Sequence, residues 1–204
     1  DTPIPTPTAT PTDTPTPSPT ATPTPSPTPT ILVTLQTNPA GLAFTVDGTT
    51  YSSTQMFSWV PGSSHTIATT SPQNGGTGVR YAWVRWTDNG AISHTVAPTS
   101  NTTYTANFRT QYYLTMTHGT GGTVTPDSGW KNSGTHVSIT ATPTTGYGFN
   151  SWTGTGTGSF SGTTNPVSIT MSGPITETAA FMALPQIQVT VQTNLSGLSF
   201  TVDG

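Results

Sequence analysis

Few side chains in this sequence have the type and spacing to do chemistry. The 204 residues include four histidines (His65, His94, His118 and His136), seven carboxylates and four basic residues (Arg80, Arg85, Arg109 and Lys131). Asp88 near His94, and Asp127 near His136, have the residue types of an acid–base pair. With 50 Thr and 20 Ser in the chain, however, some hydroxyl lies near any histidine by composition alone, so such pairings carry no information. A metal site needs two or three ligands at set spacing with a carboxylate nearby. His65 and His136 instead head two matching segments, HTIATTSP and HVSITATP, where each is expected to cap a strand. The absence of Cys excludes disulfides and thiolate metal ligands. Gly154-Thr-Gly156-Thr-Gly158 is glycine-rich but follows a Trp and opens no helix, so it fails the test for a phosphate cradle and reads as a flexible β-connection. The only Lys (Lys131) and the only Glu (Glu177) lie in one module and raise the idea of a covalent Lys–Asn crosslink, yet Lys131 sits in a turn-like Trp-Lys-Asn-Ser-Gly and not on an apolar strand. No catalytic residue, metal ligand or cofactor site is expected, and the chain does not read as an enzyme.

The aromatic residues are the better candidates for binding. Tyr81, Trp83 and Trp86 recur as Tyr147, Phe149 and Trp152, a duplication that favours large rings filling a small core. Trp59 and Trp130 lie beside expected turns, where an exposed indole could stack on a sugar. Charged residues make up only 5% of the chain, against about 25% in an average soluble domain. Four basic residues give no footprint for nucleic-acid phosphates. No apolar run reaches the roughly 20 residues of a membrane span, so membrane insertion of this segment is not expected.

Residues 1–30 are a different material from the rest, with 12 Thr and 11 Pro in near alternation. Such a segment cannot bury enough surface to offset its ordering entropy, so it should stay extended in polyproline II and reach on the order of 90 Å. Its hydroxyls, on Thr6, Thr8, Thr10, Thr12, Thr14, Thr16, Ser18, Thr20, Thr22, Thr24, Ser26 and Thr28, have the composition of an O-glycosylated stalk. An unmodified spacer is the plainer alternative. Asn101-Thr102-Thr103 and Asn194-Leu195-Ser196 also fit the N-glycosylation pattern.

After Thr30 the apolar residues alternate with polar ones, as in Ile31/Val33/Leu35, Leu42/Phe44/Val46 and Val137/Ile139. Period-two runs broken by Gly, Pro and Asn predict an all-β fold of small antiparallel, sandwich-like modules. Residues 32–48 and 188–204 are identical at 12 of 17 positions with a spacing of 156. A weaker repeat lies inside that unit, where NTTYTANF (101–108) matches PITETAAF (174–181). The organisation expected is an extended segment (1–30), a β-module (31–109), a second β-module (110–184) and the first hairpin of another copy (185–204). That hairpin would expose Val189, Val191, Leu198, Phe200 and Val202, so it is expected to pack against protein, from a neighbouring repeat or another subunit.

The run Gly122-Thr-Val124-Thr-Pro126, His136-Val-Ser-Ile139-Thr-Ala141-Thr-Pro143 and Gly146-Tyr147-Gly-Phe149-Asn-Ser-Trp152-Thr-Gly154 resembles the divergent internalin-type bacterial extracellular repeat. The likeness covers 113–181 well and 31–108 loosely, because the first module lacks the Gly-Tyr pair before its Trp. Thr37–Gly48 with Pro61-Gly62-Ser-Ser-His65 also resembles the short surface-layer-type β-repeat. These resemblances imply small β-domains of large exported bacterial proteins, without shared catalytic residues. The function expected is therefore an extracellular or cell-surface structural protein, a tandem-repeat stalk or filament subunit bearing covalent glycans and contacting itself or neighbouring repeats. The alternative is a carbohydrate-binding or adhesive accessory region of a larger secreted enzyme or adhesin.

Overall fold

The structure, a computed structural model, describes residues 1–11 and 28–192, with 194, 196, 197, 199 and 201. Every regular element among them is a strand. In order these are β1 (Ile31–Asn38), β2 (Phe44–Val46), β3 (Thr49–Tyr51), β4 (Gln55–Trp59), β5 (His65–Thr69), β6 (Gln73–Asn74), β7 (Val79–Trp86) and β8 (Ser93–Val96). They continue as β9 (Thr102–His118), β10 (Gly122–Thr125), β11 (Gly129–Asn132), β12 (His136–Pro143), β13 (Tyr147–Thr155), β14 (Val167–Thr170) and β15 (Ile175–Ala183). The fold is all-β, as the alternation requires.

Two cores sit side by side. The first gathers Val33 and Leu35 of β1, Phe44 and Val46 of β2, Ile67, Trp86 and the β9 residues Tyr104, Ala106 and Phe108. The second gathers Leu114 and Met116 of β9 with Ile139, Trp152, Ile169, Met171 and Ile175. Each core lies between one half of an eight-stranded sheet and a smaller sheet, β3-β2-β5-β8 or β10-β12-β14. The two halves repeat one pairing scheme. β1 runs parallel to β9 and β7 antiparallel to it; β9 then runs parallel to β15, with β13 antiparallel to β15. The 17-residue β9 is thus the last strand of the first scheme and the first strand of the second, and the division at 109/110 falls inside it.

Two expectations need correction. The two smaller sheets are antiparallel as expected, but the eight-stranded sheet is mixed, because the first and last strands of each half lie side by side in parallel, with the intervening strands as the crossover. Residues 31–48 are not a hairpin. β1 pairs with β4 and β9, whereas β2 pairs with β3 and β5 in the other sheet, so both can present their apolar side chains to one core from opposite layers. In the copy near the other end, residues 185–192 form no strand, and Val189 and Val191 are exposed; Leu198, Phe200 and Val202 lie outside the described residues.

Period two alone cannot put Trp83 and Trp86 on one face. The register with β9 shifts between Trp83 and Arg85, leaving Val84 as an extra residue, and the same shift occurs in β13 between Phe149 and Ser151. A bulge resets strand parity. Trp86 and Trp152 therefore point inward, at 0% and 1% exposure. Gly156 and Gly158, expected to be flexible, are tight positions instead. Both have positive φ, and a Cβ would collide with the Pro174 carbonyl at Gly156 or with that of Thr170 at Gly158.

Candidate functional site

Three of the four histidines make polar braces, while His118 bonds only the carbonyl of its neighbour Gly119. Asp47 and Gly48 form the positive-φ turn between β2 and β3. The Asp47 Oδ2 lies 2.7 Å from His65 Nδ1, its Oδ1 accepts the Thr66 amide at 2.8 Å, and His65 Nε2 is 2.9 Å from Ser63 Oγ. The hydrogen bond from His65, then the Thr66 amide, lowers the Asp47 carboxyl below its ordinary range. A Ser–His–Asp relay has this connectivity. Here the carboxylate also ties the β2–β3 turn to the start of β5, and the imidazole is stacked flat on Trp59, with ring centroids 3.8 Å apart. The brace thus joins the Val46-Asp47-Gly48 and Pro61-Gly62-Ser-Ser-His65 parts of the surface-layer-like motif.

Asp88 and His94 do meet, at 2.8 Å, and His94 Nδ1 bonds the Ala91 carbonyl. His136 bonds Thr170 across to β14 at 3.1 Å rather than Asp127. Among the described residues no group of three His, Cys, Asp or Glu could hold a metal ion. Lys131 and Glu177 are not joined. Glu177 is fully buried, its Oε1 accepts the Phe160 amide at 2.7 Å, and its Oε2 has no partner. Burial raises its carboxyl above the ordinary value of 4.5, opposed by the Phe160 amide.

The two indoles proposed for sugar stacking part company. Trp59 is only 7% exposed, held between His65 and Phe57, so its turn-side position did not leave it open. Trp130 is half-buried on β11, in register with Tyr113 on β9. The Arg80 guanidinium lies 4.4 Å from its ring centroid, and Tyr113 meets it edge-on at 5.2 Å. Arg80 Nε donates to Gln111 Oε1 at 2.7 Å, and Gln111 Nε2 donates to Asn132 Oδ1 at 2.9 Å. Grooves of about 330 and 450 Å³ share Trp130 and Gly78 as walls. Arg80, Gln111 and Asn132 carry no sequence motif. Only the strand register, which the sequence does not display, brings them to Trp130.

The second core and its sheets coincide with a known domain. Residues 112–185 match the divergent InlB B-repeat domain. The matched segment is thus similar to a repeat domain of bacterial extracellular proteins of structural or adhesive type. It begins within β9 and ends just after β15, so the B-repeat uses the second half of the shared strand as its first strand. No curated protein matches the chain.

Proposed function

We propose that the chain is part of a tandem-repeat stalk or filament of a bacterial surface protein, in which residues 31–109 are a diverged copy of the B-repeat. The observation that carries this reading is β9. Seventeen residues at about 3.3 Å each span roughly 55 Å, and this single strand is hydrogen-bonded in both halves. The strand pairs with β1 over residues 102–107 and β11 over 111–114 on one edge, and with β7 over 106–112 and β15 over 114–118 on the other. Every position therefore has a neighbour on at least one edge, and no linker separates the halves. Rigidity along the repeat direction is what a stalk needs.

Glycosylation of the Pro/Thr segment belongs to the same proposal. Thr6, Thr8, Thr10 and Thr28 are exposed, while Thr12, Thr14, Thr16, Ser18, Thr20, Thr22, Thr24 and Ser26 lie outside the described residues. Intact mass of native material should exceed the chain mass by whole sugar units. Self-association through Val189 and Val191 would appear as filaments by electron microscopy.

Thr110→Pro tests the stalk reading, because proline fixes φ near −65° and is confined to edges and bulges of sheets, so it should break β9 where the modules meet. Small-angle scattering of the wild type should fit one rigid two-module body, and the variant should need independently moving modules. Free motion between the modules in the wild type would end this reading.

A further inference from the structure

We propose that the outward face of the β7–β9–β11 sheet, at the junction of the two modules, binds an acidic glycan through its uronate carboxylates. The inference deepens the adhesive alternative and does not depend on the stalk reading. All four basic residues of the chain lie on these three adjacent strands. Along β9 the even-numbered Tyr104, Ala106, Phe108, Leu114 and Met116 are buried, so odd-numbered positions face outward. Arg109 is one of them, and Arg80 and Arg85 are in register with the outward-facing Gln111 and Asn107. Lys131, in register with Tyr112, belongs to the opposite face.

Three arginines thus share one face of a chain whose net charge is −3. Among the described residues the only ion pairs are Asp47–His65 and Asp88–His94, and no carboxylate lies on β7, β9 or β11. A cationic strip without its own counter-charge is complementary to an anionic ligand. The rest of the face selects a sugar. Trp130 divides the two grooves; on one side Asn74 and Arg80 offer polar groups, and on the other Thr115 and Thr176 offer hydroxyls. Gln111 holds the Arg80 Nε, and among the described residues no protein acceptor holds its Nη groups, which leaves them for a carboxylate. Arg80 covers one face of the Trp130 ring, so a pyranose would stack from the groove that Arg80 does not line.

The test is calorimetric titration of the full chain with a panel of galacturonate, guluronate and glucuronate-containing oligosaccharides, each beside its methyl-esterified form. At least one acidic oligosaccharide should bind, weaken about tenfold on esterification, and weaken as salt is raised. Trp130→Ala and Arg80→Gln should each cost about tenfold as well. Arg109→Gln, at an exposed position that cannot harm the core, should weaken binding in the same direction. Absence of binding across the panel, indifference to esterification, or equal binding of a single-stranded oligonucleotide would overturn the proposal. None of these outcomes bears on module rigidity, so the stalk reading is judged separately.

Discussion

The two modules solve the same packing problem with different polar devices. Trp86 pairs with Ala106 as Trp152 pairs with Ala179, and Trp83 with Phe108 as Phe149 with Phe181, so Tyr104 and Glu177 occupy equivalent positions. In the first module that position holds a phenol and the Trp86 indole donates to the Ile92 carbonyl at 3.2 Å. In the second it holds a carboxyl with one unpartnered oxygen, and the Trp152 indole nitrogen has no partner either. The first module adds the Asp47–His65 brace and the short strands β3 and β6; the second has neither a V-D-G turn nor those strands. What is common is apolar and geometric: parallel first and last strands, a bulge, and two large rings three residues apart. The shared frame is set by packing and tolerates any polar accessory that fits.

That comparison predicts its largest effect at the common element. Trp86→Ala and Trp152→Ala should each cost about 3–5 kcal/mol, the range for emptying a fully buried aromatic site. Because β9 belongs to both cores, each substitution should lower one cooperative melting transition. Two transitions, each moved by only one of the variants, would show that the modules unfold independently despite the shared strand.

Glu177 should respond in the opposite direction. A buried carboxylate oxygen without a partner is a cost on the order of 1–3 kcal/mol, so Glu177→Gln should stabilise the protein at neutral pH by about 1 kcal/mol. The sign with pH follows from the raised carboxyl. The folded state holds the proton more tightly than the unfolded chain, so stability falls as pH rises from 4.5 through the folded-state value. The gain from Glu177→Gln should therefore shrink towards pH 4, as calorimetric melts at several pH values would show. A variant that destabilises equally at pH 4 and pH 7 would mean that the carboxyl has a proton-independent packing role.

The sequence made the strands legible wherever one face was buried, because alternation then had to appear: β1, β2 and β12 all lie on runs read by period. It also made the module equivalence legible, since HTIATTSP and HVSITATP begin β5 and β12. Sheet membership was not legible. Val33/Leu35 and Phe44/Val46 have the same local pattern whether they pair with each other or face each other across a core. The candidate site was half legible for the same reason. Trp130 stood out by type, but Arg80, Gln111 and Asn132 meet only through the β7–β9 and β9–β11 registers. Trp59 misled because a turn position in sequence says nothing about a histidine arriving from β5.

The smallest effect should come from the Asp47 brace. Its side chain is half exposed, so solvent screening keeps the pair within about 1 kcal/mol. The carboxyl is lowered in the folded state, so its contribution is fully present above 3.8 and lost as pH falls through the folded value. This is the reverse of Glu177, and the two modules should respond oppositely to acid: the first loses a brace where the second relieves a buried charge. Asp47→Asn should leave stability at pH 7 slightly lower and flatten the acid limb of the melting curve. In a double variant with Glu177→Gln both pH responses should vanish additively, since the residues belong to separate cores and share no partner. A coupling well above the experimental error would show that β9 transmits charge-dependent strain between the modules, and the comparison would then have to treat them as one core.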